Sequence, residues 1–310
     1  MPAYSYAACL ENAYKVNWRI EDVLADRSFD PSKRWLPLSL SAAGAVTCLD
    51  EAGKRALTQV ELAAYAHLFG YVEEFIAPKV STLAHDFELE NRAAFDALTN
   101  FAAEEVKHMN LFRALRGRTN AQLGFELALL EGETSTARFV LGKSNAAALL
   151  FISALEWMTQ GHYLDAIKDD SGLDPFTKVI FKAHWVEESQ HAQLDHLETM
   201  RAFEALTPAE RGRAFDEVVE IVTAVDGLLQ QQVGHDIANL ARLLRRAFDA
   251  RETAELEREI LRAKRWTFVL SGVTHPRFAE LFRGLATPEQ QQRVGAALES
   301  LFAAEPVVSC

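Results

Sequence analysis

The residues best suited to chemistry in this sequence are two glutamate–histidine pairs with identical spacing. Glu105 and His108 form one Glu-x-x-His segment, and Glu188 and His191 form the other. Three residues make most of a helical turn, so on a helix each pair shares a face and offers an oxygen and a nitrogen to one metal ion. A single pair of this kind is common by chance, whereas two copies on separate helices indicate a metal site.

Two further helix-borne carboxylates accompany these pairs. Glu156 follows the apolar run Leu-Leu-Phe-Ile-Ser-Ala-Leu, where an unpaired charge is costly and a bound cation removes that cost. Upstream, either Glu73 or Glu74 supplies the other carboxylate. The phase of the large apolar side chains favours Glu73 and leaves Glu74 as its alternate. The order Glu, Glu-x-x-His, Glu, Glu-x-x-His is that of ferritin-like di-iron and di-manganese bundles.

With these residues the sequence resembles the ferritin-like di-iron carboxylate proteins over about residues 57–203. His184 stands four residues before Glu188, and a histidine in that position resembles the p-aminobenzoate N-oxygenase family, whose di-iron site carries a third histidine. Two segments, FGYVEEFI at 69–76 and EWMTQGHY at 156–163, also resemble uncharacterised bacterial ferritin-like proteins.

The resemblance implies a ligand set, a cofactor and an activity. One iron would be held by the first-helix glutamate, Glu105, His108 and Glu188. The other would be held by Glu156, His184, Glu188 and His191, with Glu188 bridging the irons and Glu105 as a second candidate bridge. Two Fe ions are implied, and Mn or a mixed Fe/Mn pair is the alternative because carboxylates and imidazoles without thiolates suit both metals.

The activity implied is that of an oxygen-activating oxidoreductase, an N-oxygenase or hydroxylase, with a small organic substrate, O₂ and an electron donor as partners. Two other classes of function fit the same residues. A ferroxidase or iron-storage protein would use such a site, although 310 residues exceed one compact bundle. A helical protein with a structural or degenerate metal site would contain much less than one redox-active ion per chain.

Four more residues are candidates for a pocket or for supporting a ligand, and no catalytic residue beyond the metal ligands is identified. Three of the four follow the buried glutamate within two helical turns: Gln160, His162 and Tyr163. They line a substrate pocket or fill the core, and core packing is the expectation. Asp195 lies one turn after the second Glu-x-x-His pair, where it would support a histidine ligand.

The elements that position these residues are predicted to be helices. Only 15 Gly and 9 Pro occur in 310 residues, too few for the turns of a sandwich or barrel, and 49% of the residues are apolar, enough for a packed core. The net charge of −12 argues against a nucleic-acid partner. Three scattered cysteines, Cys9, Cys48 and Cys310, predict neither a disulfide framework nor a thiolate metal site.

Apolar residues at intervals of three and four predict the ligand-bearing helices. The first starts near Ala56 and is kinked or ended by Pro78. The other three are predicted at about 91–115, closed by Gly117, at 144–168 and at 174–203. The fold class is therefore all-α. We expect a ferritin-like four-helix bundle over 57–203, with 1–56 packed on it and 204–310 as a C-terminal helical extension, all in one compact domain.

The sequence also gives expectations about location and assembly. The first residues lack the basic start and apolar run of a signal peptide, and the most apolar stretch is too short to span a bilayer. These features predict a cytoplasmic protein without a membrane partner. Association into a homodimer stays open.

Overall fold

The chain is helical almost throughout in a computed structural model that describes residues 4–87 and 90–303. Within those residues no strand forms, and the single β-bridge joins Arg34 to Leu173. Four helices make the central bundle. They are α3 (Glu51–His85), α4 (Arg92–Leu123), α6 (Asn145–Gly161) and α7 (Pro175–Glu204). This arrangement confirms the predicted all-α class and the central four-helix bundle, while Cys310 lies outside the described residues.

The remaining helices surround this bundle. The N-terminal ones are α1 (Tyr6–Val16) and α2 (Ile20–Leu24), and α5 (Glu133–Leu141) lies between α4 and α6. The C-terminal ones are α8 (Pro208–Leu244), α9 (Ala250–Arg265), α10 (Ser271–Val273), α11 (Pro276–Leu285) and α12 (Pro288–Ala303). Short π-helical segments follow α6 at His162–Ile167 and α9 at Trp266–Leu270.

The bundle consists of two closely packed helix pairs, α3 with α4 and α6 with α7. Helix α1 lies against α4 and α7, and α8 lies against α3 and α6. Because α6 is covered on all sides, each of its residues 146–160 is buried, including Glu156. A helix enclosed in this way is apolar around its circumference, which explains the long apolar run in the sequence.

The start of α4 agrees with the prediction, but its end does not. Helix α4 starts where predicted, and Asn91 caps it by accepting a hydrogen bond from the Ala94 N–H. The helix does not close at Gly117, which lies in its interior, but at Gly124, where the backbone is left-handed with φ of 80°. That conformation costs glycine little, and it is the usual end of a helix.

The first bundle helix does not end at Pro78, which was one of the two predicted effects of this proline. Helix α3 starts at Glu51, earlier than predicted, and passes through Pro78 to His85. Proline removes one backbone donor, so only the carbonyl four residues earlier loses its partner. Downstream, the Ser81 and Thr82 hydroxyls donate hydrogen bonds to the carbonyls of Ala77 and Pro78 within the same helix.

The N-terminal segment fixes the start of α7. Asp174 caps the helix by accepting from the N–H groups of Phe176 and Thr177, and its other oxygen accepts from the Asp30 N–H at 2.7 Å. Trp35, with no exposed surface, accepts a hydrogen bond at its carbonyl from the Thr177 hydroxyl. The helix that carries Glu188 therefore has its origin held from both sides. Every helix of the described residues is too short or too polar to cross a lipid bilayer.

Candidate metal centre

One carboxylate oxygen on α7 lies among three imidazoles at the centre of the bundle. Glu188 Oε1 is 2.9 Å from His108 Nδ1, 3.0 Å from His184 Nε2 and 3.6 Å from His191 Nδ1. His184, Glu188 and His191 share one face of α7 because their spacing is four and three residues. His108 reaches the same point from α4. All four side chains are buried.

Two more glutamates flank this point on opposite sides. Glu73 Oε1, on α3, lies 3.3 Å from His184 Nε2 and 4.0 Å from His108 Nδ1. Glu105 Oε1, on α4, lies 2.8 Å from His191 Nδ1 and 3.9 Å from His108 Nδ1. The donor atoms fall into two overlapping groups, each spanning no more than 4.8 Å. The groups are Glu73, His108, His184, Glu188 and Glu105, His108, Glu188, His191.

This grouping differs in one respect from the division expected from the resemblance. The expectation placed His184 with Glu156 and His191 around one iron, whereas the structure groups it with Glu73, His108 and Glu188. The two groups contain six of the seven predicted ligands, and Glu156 belongs to neither group. Metal binding by these residues, and their assignment to individual ions, stay predictions.

Glu156 joins the cluster through Glu188. Its carboxyl is buried on α6 and forms a hydrogen bond with Glu188. Burial, and then the charge of Glu188, raise the pKa of Glu156 well above its usual value. For Glu188 burial also opposes ionisation, but the His184 charge and the Glu156 hydrogen bond bring its pKa well below the usual range. A proton on Glu156 therefore holds together two carboxyls that a cation could join instead.

The cluster leaves several buried polar atoms without a hydrogen-bond partner, although opposite groups lie close. They include both oxygens of Glu105, one oxygen each of Glu73 and Glu156, and Nδ1 of His108 and of His191. Buried polar atoms rarely stay unpaired, and each costs about 1–3 kcal/mol. All these atoms are metal ligands of the types that Fe and Mn prefer. The residues present fit a two-metal carboxylate site.

Two glutamates that the sequence analysis missed support the histidines from outside. His108 Nε2 donates to Glu187 Oε2, and His191 Nε2 donates to Glu104 Oε2, each at 2.9 Å. The bonds cross between helices, because the glutamate directly before each Glu-x-x-His pair supports the histidine of the other pair. Both segments read Glu-Glu-x-x-His. The doubled glutamate was the sequence signal that could have revealed this role.

These outer bonds fix which nitrogen of each ring faces the cluster. An ionised carboxylate only accepts hydrogen bonds, so Nε2 of His108 and His191 carries the proton. In a neutral ring Nδ1 then presents its lone pair inward, as a metal ligand does. Burial lowers the pKa of His108, but the neighbouring carboxylates of Glu187 and Glu188 outweigh it and raise the pKa to about 9. A metal ion would therefore displace a proton from this ring.

The alternate residue on α3 lies outside the cluster. Glu74 is half-buried and pairs with Arg113 at 2.9 Å on the outer side of the helix. Glu73 is buried, and burial raises its pKa to about 8, against the lowering effect of the His184 hydrogen bond. The helix phase read from the sequence favoured Glu73 over Glu74, and in the structure Glu73 lies on the inner side of α3 and Glu74 on the outer side.

The four additional candidates are all buried but do not contact the cluster through hydrogen bonds. His162 bridges the Tyr65 hydroxyl at 2.8 Å and the Ser271 hydroxyl at 2.9 Å, and burial lowers its pKa to about 3, so the ring is neutral. Tyr163 stacks on Trp185 with centroids 4.6 Å apart. Gln160 packs in α6 with its amide nitrogen unpaired. Whether these residues serve a pocket or only the core stays a prediction, and His162 also lines a cavity with Met158 and Ser271.

Asp195 lies one turn after His191 on α7, but among the described residues no hydrogen bond joins it to a histidine of the cluster. It is buried, and burial raises its pKa well above the usual value, while its Oδ2 has no hydrogen-bond partner among the described residues. The residue that bonds the outer nitrogen of His191 is Glu104, on the neighbouring helix.

Aromatic rings close the cluster against water. Phe101, fully buried, stacks on His191 with centroids 3.9 Å apart. Phe69 and Phe112 pack edge-on against His184 at 5.2 and 5.1 Å. Electrostatic interactions are stronger in such a dry environment than in water.

Comparison with known proteins identifies a family for most of the chain. The family model described as p-aminobenzoate N-oxygenase AurF matches residues 6–268, which includes the N-terminal helices and most of the C-terminal extension. No curated protein sequence gives a significant match.

Among solved structures, the chain is similar to variants of an R2-like ligand-binding oxidase. One, with an anaerobically reconstituted Mn/Fe cofactor, has 13% identity and a TM-score of 0.43, covering 87% of this chain and 92% of that one. A second, with an aerobically reconstituted Mn/Fe cofactor, has 12% identity and a TM-score of 0.40, covering 97% and 93%.

Proposed function

Because this chain belongs to the p-aminobenzoate N-oxygenase family, we propose that it inserts oxygen into a small organic substrate, with an aryl amine nitrogen as the preferred target. Family membership makes the chain a di-iron, oxygen-activating oxidoreductase. The observation that supports a redox metal site in this chain is the position of Glu188 Oε1, within 3.6 Å of three buried imidazole nitrogens.

The proposed ligands are seven buried side chains from the four bundle helices. Glu188 is the proposed bridge, because its central oxygen belongs to both donor groups. Glu74 is excluded from the proposed set because its carboxyl pairs with Arg113. The set is Glu73, Glu105, His108, Glu156, His184, Glu188 and His191.

When bound, two iron ions would supply the reduction of O₂ and the oxidising power for the substrate. The protein holds the ligands on four rigid helices and removes water from around them. Glu104 and Glu187 keep the protons of His191 and His108 on the outer nitrogens. Phe101 and Phe69 shield the imidazoles from solvent.

N-oxygenation of an aryl amine balances as follows. One oxygen atom of O₂ enters an N–H bond and gives the hydroxylamine, and the other leaves as water with two protons and two electrons from a reductant. The reductant and the cytoplasmic location are predictions from the sequence that belong to this proposal, and a homodimer stays open.

Metal content together with the visible spectrum of the oxidised protein tests the proposed site. We expect two iron ions per chain. Glu188→Ala should lose at least one of them and unfold at a lower temperature in the presence of iron, because bound metal stabilises only the folded state. Glu74→Ala, at the half-buried neighbouring position on the outer side of α3, should keep both ions. Full occupancy in Glu188→Ala would show that the ligand assignment is wrong.

Replacement of His184 tests the N-oxygenase type within this function. His184→Ala should keep the fold and at least one ion but change the spectrum and the rate of reaction with O₂. Aryl amines incubated with the reduced protein and ¹⁸O₂ should yield products that contain the label on nitrogen, as detected by mass spectrometry. Label on ring carbon would instead establish a hydroxylase. Metal occupancy and O₂ kinetics equal to those of the parent in His184→Ala would contradict a third-histidine site.

A further inference from the structure

The two crossed histidines differ in the ring that stacks on each of them. His191 lies against Phe101, which has no exposed surface. His108 lies against Trp18, in the loop between α1 and α2, with ring planes only 10° apart and centroids 5.9 Å apart. Trp18 is half-buried and so reaches the protein surface. One side of the centre is closed by a benzene ring, and the other ends in a partly exposed indole.

Trp18 is joined to His108 by a second route through charged groups. Lys107 Nζ lies 4.4 Å from the centre of the indole ring and also pairs with Glu187. Glu187 in turn accepts the hydrogen bond from His108 Nε2. The four side chains therefore form a closed ring of contacts that reaches from the protein surface to a candidate metal ligand. The Phe101 side has no indole stacked on His191.

We propose that Trp18 conducts single electrons from a one-electron reductant in solution to the metal ion held by His108. The proposal depends on the ligand role of His108 given above. In this step the reductant loses one electron and a ferric ion becomes ferrous, while no covalent bond forms or breaks.

An indole couples electronically to an oxidised metal far better than a benzene ring, because its highest filled orbital is much higher in energy. The Lys107 cation over the ring disfavours a lasting positive charge on the indole. The electron therefore crosses Trp18 without leaving an oxidised side chain.

The test variant is Trp18→Phe, which keeps an aromatic ring against His108. Trp18 Nε1 has no hydrogen-bond partner, so the substitution removes no hydrogen bond. The matched control is Trp157→Phe. Trp157 also stacks on a histidine, His275, with centroids 5.2 Å apart and planes at 12°, and its Nε1 is also unpaired, but His275 belongs to no candidate metal group.

Oxidised, iron-loaded protein is mixed without O₂ or substrate with methyl viologen reduced by dithionite, and bleaching of the ferric absorbance is followed by stopped flow. Trp18→Phe should bleach roughly tenfold more slowly than the parent, a rise of about 1.4 kcal/mol in activation free energy, with unchanged iron content. Trp157→Phe should bleach at the parent rate. In the metal-free protein, Fe²⁺ binding should quench indole emission, and Trp18→Phe should remove the part of this quenching that comes from Trp18.

An unchanged bleaching rate in Trp18→Phe overturns the proposal, and so does equal slowing in Trp157→Phe. Loss of iron from Trp18→Phe also overturns it, because Trp18 would then serve only to hold His108 in place. Failure of the parent to take up iron would instead refute the proposed function, so the two failures are distinguishable.

Discussion

Replacing Glu104 should weaken metal binding although Glu104 is not a proposed metal ligand. Its Oε2 accepts the hydrogen bond from His191 Nε2 at 2.9 Å. Burial raises the pKa of this carboxyl, but the His191 hydrogen bond and charge outweigh burial and lower the pKa overall, so the group is ionised. Loss of such an outer partner typically reduces metal affinity roughly 10- to 100-fold, or about 1.4–2.7 kcal/mol.

We expect Glu104→Ala near the upper end of that range and Glu104→Gln near the lower end. The glutamine amide oxygen still accepts from His191 and so keeps the ring orientation, but it lacks the negative charge that makes the imidazole a stronger ligand. Anaerobic titration of the metal-free variants with Fe²⁺, in competition with a chromophoric chelator, measures the affinity. Thermal unfolding of the metal-free proteins checks that the fold is kept. Parent affinity in Glu104→Ala would refute the supporting role of this glutamate.

Three further predictions follow from particular side chains. Glu73→Gln should lower the iron content whereas Glu74→Gln should not, and equal iron in both variants would contradict the placement of Glu73 in the site. Burial raises the pKa of Glu61 to about 7 from its usual 4.5, against the lowering effect of Lys264. As pH rises, the carboxyl therefore loses its proton in the unfolded state before it does so in the folded state. The parent should thus lose stability relative to Glu61→Gln between pH 4.5 and about 7. A difference in unfolding temperature that does not change with pH would refute this effect. Gly272→Ala should destabilise the fold by roughly 1–3 kcal/mol in denaturant unfolding, since the added Cβ would clash with the Ala154 carbonyl oxygen, and a parent-like midpoint would contradict that contact.

Much of the bundle could be predicted from local patterns because its helices carry their own capping signals. Asp174 followed by Pro175 marks the start of α7, and the structure begins the helix there. The sequence could not show which of two glycines, one within α4 and one directly after it, ends the helix. Gly117 and Gly124 are equivalent as residues, and only the chain turn at Gly124 requires a positive φ.

The site was predictable to the extent that it depends on helical spacing. The Glu-x-x-His pairs needed only that each pair share a face, and Glu73 needed only the helix phase. The crossed bonds of Glu104 and Glu187 depend on how α4 and α7 pack, which local periodicity does not encode. The contact of Trp18 with His108 spans 90 residues of chain and has no local signal.

The crossed glutamates also make the two halves of the centre electrically unequal. Glu187 is paired with the Lys107 cation, so its negative charge is largely offset. Glu104 is hydrogen-bonded to Asn100, a neutral amide, and keeps its full charge. Outer hydrogen bonds and charges tune the reduction potential of a metal. An iron ion held by His191 would therefore be easier to oxidise than one held only on the Glu187 side.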